Sequence, residues 1–319
     1  MQFAILVNSS AGRLDRAACE ERVGQIRAAF AALGVQTEIF LCEPAHLTRT
    51  ARQLASRSFD AVIAAGGDGT VSAVAAGLAG TATPLAVLPL GTLNHFAKDL
   101  AMPLELGEAV RAIRDGANEP VDIGEVNGRV FVNNSSIGLY PEAVIVRDDQ
   151  RKRGWNKLPA MLLAVARVLW RFPLLAICVV TPERTVVTKA PFVFFGNNEY
   201  RTTLRSVGTR EALDRGVLSV HTVRARSRVK MLWLVVRALF RKPEAIDDFE
   251  AQQVTEATVI CKKKRLVVAL DGEVLRMRSP LAYCIRPGAL LVRRPPRPAV
   301  AVAPEPAPAP APAVVGGVR

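Results

Sequence analysis

Two rhythms of apolar and polar positions alternate through the first 120 or so residues. Unbroken apolar runs stand at 3–7, 61–65 and 84–88, with the first strand reading through 3–8, and 35–42 is strand-like; short runs of this kind suit strands buried on both faces. Between them Val23, Ile26, Phe30 and Leu33 recur at helical spacing, Leu47, Ala51 and Leu54 mark a second helix, and the alanine-rich stretch 70–79 reads as a third. Strand and helix in turn predict a parallel α/β sheet that holds ligands at the carboxyl ends of its strands. The loops at 8–12, 66–70 and 89–94 would then open on one rim.

After Asp122 the rhythm changes. Strand-like runs at 123–126 and 129–133 flank Asn127-Gly128, a dipeptide that favours a tight hairpin turn with positive φ at both residues. Short β-type runs follow at 176–181, 185–189, 192–195, 217–223, 258–261, 266–270 and 281–285, interrupted by helical stretches at 157–172 and 229–240. These predict a nucleotide-binding α/β domain over 1–122 and a mostly antiparallel β domain over 123–294. From 295 the chain turns Pro/Ala-rich and cannot build a core, so 295–319 reads as a disordered tail.

Composition narrows the partners. With 319 residues, half of them hydrophobic, the chain can bury two cores. Its 42 basic and 29 acidic side chains leave a net charge of +13, which favours an anionic partner. Aromatic residues make up only 6% and show no base-stacking platform, which points to a nucleotide or a membrane surface and away from nucleic acid. Five cysteines without CxxC spacing read as reduced thiols rather than disulfide or zinc ligands, as in the cytoplasm. No basic segment precedes the first apolar run, so no secretory leader is expected. The stretch 158–180 is broken by Arg167, Arg171 and Pro173 and is not expected to span a bilayer.

Gly66-Gly67-Asp68-Gly69-Thr70 joins a strand to a helix. Glycines let a backbone approach phosphate closely, the first helical N–H groups are unpaired, and an aspartate there suits phosphates accompanied by a divalent cation. A tight turn needing positive φ is the other reading. No GxxxxGK[ST] pattern is present, so a nucleotide site must be built otherwise. A second loop, Pro89-Leu90-Gly91-Thr92-Leu93-Asn94, suits the opposite wall, or is an ordinary turn with an Asn cap. A third, Asn8-Ser9-Ser10-Ala11-Gly12-Arg13, offers small polar groups to phosphate oxygens. Leu270-Asp271-Gly272-Glu273 puts two carboxylates at a strand end, where one can take a proton and the other orient it, or forms a solvated turn.

In their order and spacing these groups resemble the diacylglycerol kinase catalytic-domain family, especially its bacterial lipid kinases. Asn133-Asn134-Ser135-Ser136-Ile137-Gly138, Gly196-Asn197-Asn198 and Arg286-Pro287-Gly288 add to the resemblance, which runs to about residue 295. It implies a Rossmann-like N-terminal domain, a C-terminal β-sandwich and an ATP cleft between them. It also implies transfer of the γ-phosphoryl of ATP to a lipid hydroxyl, typically that of diacylglycerol, with Mg2+. In that scheme Asn8, Ser9, Ser10, Ala11, Gly12, Gly66, Gly67, Asp68, Gly69, Thr70, Val71, Ser72, Gly91, Thr92 and Asn94 bind ATP. Asp68 sits by the Mg-phosphates, Asp122 helps hold the metal network, and Glu273 is the proton acceptor with Asp271 beside it. The chain departs from the family at His95, where many members carry aspartate, at Ser72, where asparagine is common, and at Arg215 in Leu213-Asp214-Arg215-Gly216. Arginine cannot ligate a cation, so a structural magnesium site there is expected to be absent.

Apolar helical stretches flanked by Trp155, Lys157, Arg167, Trp170 and Arg171, and by Arg224, Arg226, Arg228, Lys230, Arg237, Arg241 and Lys242, suit peripheral docking on anionic lipid at the inner face of a membrane. Equally they suit helices packed on the sandwich with a solvated basic face. Acceptors other than diacylglycerol stay open: sphingoid bases, ceramide, phosphatidylglycerol or, in a GGDGT kinase of the soluble branch, NAD. So does a catalytically silent nucleotide-dependent membrane protein. The oligomeric state is not legible, a homodimer being one option.

Overall fold

The computed structural model describes residues 1–9, 16–138, 141, 175–200, 210, 212–223 and 249–296. Its first half runs β1 (Gln2–Asn8), α1 (Arg16–Ala31), β2 (Gln36–Cys42), α2 (Leu47–Leu54), β3 (Ala61–Gly66), α3 (Asp68–Leu78), β4 (Leu85–Pro89), α4 (His95–Asp99) and α5 (Leu106–Asp115). The strands pair parallel in the order β2-β1-β3-β4. The apolar runs of β3 and β4 are buried at every position, as strands covered on both faces must be. Helix α2 turns Leu47, Ala51 and Leu54 into the same core, at the spacing that puts them on one helical face.

The second half is antiparallel. It comprises β5 (Ala117–Val126), β6 (Arg129–Phe131), β7 (Asn134–Gly138), β8 (Leu175–Val180), β9 (Thr185–Ala190), β10 (Phe192–Asn197), β11 (Leu218–Val223), β12 (Phe249–Val254), β13 (Glu256–Cys261), β14 (Arg265–Leu270), β15 (Glu273–Arg278) and β16 (Leu281–Arg294). One sheet runs β12-β11-β10-β7-β14-β15, and the other continues from the parallel sheet through β16-β13-β8-β9. Tyr283 on β16 stacks on Phe195 of β10 at 3.7 Å and meets the edge of Phe131, while its hydroxyl shares a hydrogen bond with Ser135. Those contacts join the two sheets across a second hydrophobic core.

Two strands pass through both cores. On β5, Val121 and Ile123 pack in the first and Val126 in the second. Strand β16 begins in the second with Leu281, Tyr283 and Ile285 and returns Leu290 and Val292 to the first, pairing parallel with β4 at Val292 and Arg293. The last strand of the second domain thus extends the sheet of the first. The Asn127-Gly128 hairpin has positive φ at both residues, as its sequence requires.

Several elements differ from the sequence reading. Helix α3 starts at Asp68, two residues before the predicted start, because Gly67 is extended at φ −91 and caps it; Asp68 and Gly69 therefore lie in its first turn. Strands β7, β12 and β15 escape the apolar pattern because they are polar (NSSIG, FEAQQV) or charged (EVLRMR), the last two types at sheet edges. Helix α5 is capped by the Glu105 carboxylate, which accepts from the Gly107 and Glu108 amides. The helical stretches expected at 157–172 and 229–240, their flanking tryptophans and basic residues, and the tail beyond 296 lie outside the described residues. No helix among the described residues is long and apolar enough to cross a membrane.

Candidate active site

The turn from β3 into α3 is built around close backbone contact. A Cβ on Gly91 would overlap the Cα of Gly67, so the second loop can lie this close to the first because residue 91 is glycine; a Cβ on Gly67 would stand a tight 3.3 Å from the Cα of Gly91. Thr70 is buried, and its hydroxyl accepts from Asn8 Nδ2 at 3.3 Å, which ties the end of β1 to the first turn of α3. The Val71 amide donates to the Gly67 carbonyl and closes that turn. Asp68 points across to the second loop, where its Oδ1 accepts from the His95 amide at 2.7 Å.

Asn94 behaves differently from a free ligand group. It takes the left-handed conformation at φ 51, and its side chain clips its own loop, accepting from the Gly91 amide and donating to the Gly91 carbonyl, both at 3.0 Å. Thr92 is left exposed at the mouth of the loop. Ser9 is held at the end of β1 by two bonds to the Cys42 carbonyl, through its amide and its hydroxyl. Ser10, Ala11 and Gly12 lie outside the described residues.

These loops enclose a cleft of about 580 Å3, within the usual range for small-molecule sites. Asn8, the glycine turn from Gly66 to Thr70, Gly91 and Thr92 line it, and Glu273 reaches in from the second domain. Val7, Ala65, Ala73 and Leu90 supply apolar walls, and Cys19, Arg22, Pro44 and Leu47 close the side formed by α1 and the approach to α2. Sequence reasoning missed this last group. Arg22 sits on a helix whose apolar spacing drew attention to Val23 and Ile26 instead, and no local signal marks its turn toward the cleft.

Asp271 and Glu273 sit on the tight turn between β14 and β15, with Asp271 at φ 47 and Gly272 at φ 88. The two carboxylates have opposite surroundings. Asp271 accepts four hydrogen bonds: Oδ1 from the amides of Asn133 (2.8 Å) and Asn134 (3.0 Å), Oδ2 from the Val132 amide (2.9 Å) and the Ser72 hydroxyl (2.7 Å). Burial pushes its carboxyl up against the pull of those four donors. Glu273 is exposed at the rim, and its Oε1 would stand 3.5 Å from a Cβ placed on Gly69. Packing against the glycine turn strips water from this carboxylate and the Asp271 charge repels its own, so its pKa is raised above the ordinary glutamate value. Ser72, on α3, is the direct bond between the glycine-turn helix and the acidic turn.

Asp122, expected in a metal network, is buried outside the cleft. Its carboxylate accepts from the amides of Gly216 (2.7 Å) and Gly288 (2.8 Å) and so holds two loops of the second domain together. In the segment 213–216, Leu213 accepts from the Asp122 amide and Arg215 donates its amide to Asn198 Oδ1. Asn197 donates to the Asp122 and Val132 carbonyls at 2.8 and 2.9 Å, which accounts structurally for the Gly196-Asn197-Asn198 motif. Among the described residues no group of three or more His, Cys, Asp or Glu gathers as a metal site.

Residues 2–126 match the family model of the diacylglycerol kinase catalytic domain, so the resemblance read from the motifs holds over the N-terminal domain. Diacylglycerol kinase of Bacillus subtilis (strain 168) is 36% identical over 142 residues, which cover 43% of this chain and 46% of that protein. A probable lipid kinase YegS-like protein of Pseudomonas aeruginosa is 34% identical over 122 residues, 37% of this chain and 40% of its own. The match thus spans less than half the length of these relatives. A YegS-like protein of Pseudomonas syringae pv. tomato extends it to 73% of this chain and 75% of its own length at 26% identity. The fold as a whole is that of a putative diacylglycerol kinase from Bacillus anthracis str. Sterne, with a TM-score of 0.71 over 92% of this chain and 97% of that one at 24% identity.

Proposed function

We propose that this chain, whose residues 2–126 match the diacylglycerol kinase catalytic domain, is a lipid kinase that moves the γ-phosphoryl of Mg-ATP to a lipid hydroxyl, diacylglycerol first among acceptors, giving phosphatidate. One observation carries the reading: Glu273, a second-domain carboxylate whose pKa is raised, lies over the glycine turn of the first domain inside one cleft. That is where a proton acceptor is needed when a hydroxyl attacks a phosphoryl group bound by backbone amides. In this assignment Glu273 takes the hydroxyl proton as the new O–P bond forms and the bond to ADP breaks. Asp271 holds the turn. Asn8, Ser9, Gly66, Gly67, Gly69, Thr70, Gly91 and Thr92 face or support the phosphates and nucleoside, and Asn94 shapes the second loop.

The donor set suits magnesium. Asp68 is a single carboxylate beside the phosphate-type turn, and magnesium is usually held by one or two carboxylates together with substrate phosphates and water rather than by a cage of side chains. When bound, the ion would neutralise charge developing on the transferring and leaving oxygens. The net charge of +13 supports work at an anionic membrane surface, peripheral at its cytoplasmic face.

The test is transfer of labelled γ-phosphate from Mg-ATP to diacylglycerol, monoacylglycerol, ceramide, sphingosine and phosphatidylglycerol in mixed micelles, with NAD as a soluble control. Label in diacylglycerol is the expected result. Label in NAD alone, or in no acceptor, would overturn the lipid-kinase reading.

A further inference from the structure

Arg210 lies outside the cleft and outside every motif singled out in the sequence, yet its side chain is the most heavily bonded among the described residues. It is fully buried at 0% side-chain exposure, and its partner Asp99, at the end of α4, is 4% exposed. All five guanidinium N–H groups are used. Nε and one hydrogen of Nη2 donate to Asp99 Oδ2 at 2.9 and 2.7 Å. The other Nη2 hydrogen reaches Asn133 Oδ1 at 3.0 Å, and Nη1 reaches the carbonyls of Val132 (2.7 Å) and Asn197 (3.1 Å). The rings of Tyr200 and Phe96 lie 5.5 and 5.9 Å from its carbon centre.

What matters is the peptide that Arg210 grips. The Val132 carbonyl and the Asn133 amide belong to one peptide group. Arg210 donates to its oxygen, and Asp271 accepts from its N–H. A cation and an anion thus hold one peptide dipole from its two ends, an alignment that strengthens both bonds in a low-dielectric setting. At the other end of the same system, Asp99 closes the short helix α4, whose first amide, His95, donates to Asp68. The path from the glycine turn to the acidic turn therefore runs Asp68, α4, Asp99, Arg210, the 132–133 peptide, Asp271.

We propose that Arg210 is a positioning residue that fixes the turn bearing Glu273 against the turn bearing Asp68, by clamping the Val132–Asn133 peptide opposite Asp271. The catalytic part of this inference rests on Glu273 being the proton acceptor; the clamp itself does not. Its geometry requires the planar fork: lysine has three donors on one atom and cannot bridge Asp99, Asn133 and two carbonyls at once.

Arg210→Lys in the full chain, followed by hydrogen exchange and by steady-state kinetics, tests it. Segment 132–134 is expected to exchange ~10-fold faster or more while β1 keeps its protection, because the clamp is local. In the same protein kcat is expected to fall ~10-fold or more with KM for ATP nearly unchanged, as misplacement of a reacting group affects the chemical step and not the nucleotide loops. Should Arg210→Lys fail to fold, the pair Asp99→Asn with Arg210→Met removes both buried charges together and gives the same two readouts. Unchanged exchange at 132–134 in a folded variant would overturn the clamp, and faster exchange with unchanged kcat would reduce Arg210 to a structural role. If wild-type protein transfers no phosphate, or Glu273→Gln is fully active, the lipid-kinase reading or its base assignment fails instead, and the exchange result still decides the clamp.

Discussion

The two walls of the cleft are made in different ways. On the wall from the parallel sheet, the working surface is backbone: Gly91 lies so close to Gly67 that a Cβ on it would overlap the Gly67 Cα, Asn94 is folded into its own loop, and Asp68 is the one carboxylate. On the wall from the sandwich, the working surface is a charged side chain, Glu273, at the start of β15 just past the two-residue turn Asp271-Gly272. That turn is held by groups far away in sequence: the Ser72 hydroxyl, the 132–134 backbone amides on Asp271, and Arg210 behind them. The first wall depends on what is missing from its residues, and the second on what is ionised. Steric changes should therefore damage one and charge changes the other.

Neutralising Glu273, the proposed base, should have the largest effect. Glu273→Gln keeps size and hydrogen-bonding reach but cannot accept a proton, and general-base removal costs about 10²–10⁴-fold. We expect kcat to drop by that order in the phosphate-transfer assay while ATP binding by calorimetry stays intact; normal turnover in the folded variant would remove Glu273 from the mechanism. Adding one methyl to the other wall comes next. In Gly91→Ala the new Cβ would overlap Gly67 and lie 2.7 Å from Asn94 Oδ1, so the loops must separate. Overpacking of this kind costs about 1–3 kcal/mol. The expected signature is a lower Tm and a raised KM for ATP, with kcat at saturation affected less. A variant that binds ATP like wild type would show that the loops need not touch.

Asp271→Asn sharpens the comparison because it changes charge inside the scaffold of the second wall. An amide offers one oxygen to four donors, so two are left facing its NH2 group, at a cost of about 1–3 kcal/mol. Burial, with the Asp271 charge added, raises the Glu273 pKa, so kcat in the wild type should rise with pH through a midpoint above the ordinary glutamate value. With Asp271 neutral, the repulsion is gone and that midpoint should move down. Stability runs the other way. A carboxyl whose pKa is raised by folding, as in Asp271, contributes most below the unfolded value and loses that contribution as pH rises to the folded one. Profiles of kcat and Tm for the two proteins would check both signs, and a midpoint that stays or rises would show that Asp271 does not set the Glu273 charge.

The same division explains what was legible in the sequence. The α/β half, the change of rhythm near 122, the hairpin at Asn127-Gly128 and the glycine turns all announce themselves locally, because strand burial and glycine conformations are written in adjacent residues. The cleft lies where the three loops were expected to meet. Polar strands such as β7 have no apolar alternation to read, and the importance of the segment leading into it comes from the 132–134 amides, which any sequence supplies. Arg210 looks like one of 42 basic residues until the fold buries it against Asp99. Arg22 lines the cleft from α1 with no mark in its neighbouring residues. Asp122 was expected in a metal network, and the backbone amides around it became visible only when Gly216 and Gly288 were brought to its two oxygens.

The smallest effect expected is none at all, and its position in the chain is what makes it informative. Strand β16 pairs with β5 through Arg294 opposite Ala117, and Arg293 donates to the Ile113 and Arg114 carbonyls at 2.6 and 2.8 Å while lying over the Phe3 ring. Every contact by which the second domain's last strand completes the first domain's core is therefore made at or before Arg294. Residues beyond it are Pro/Ala-rich, a composition that does not build a core. Truncation after Arg294 should leave Tm and phosphate transfer unchanged within error. A fall in transfer with Tm unchanged would give the tail a part in reaching the lipid, whereas a fall in Tm would mean that β16 needs more than its present register to stay closed on β4.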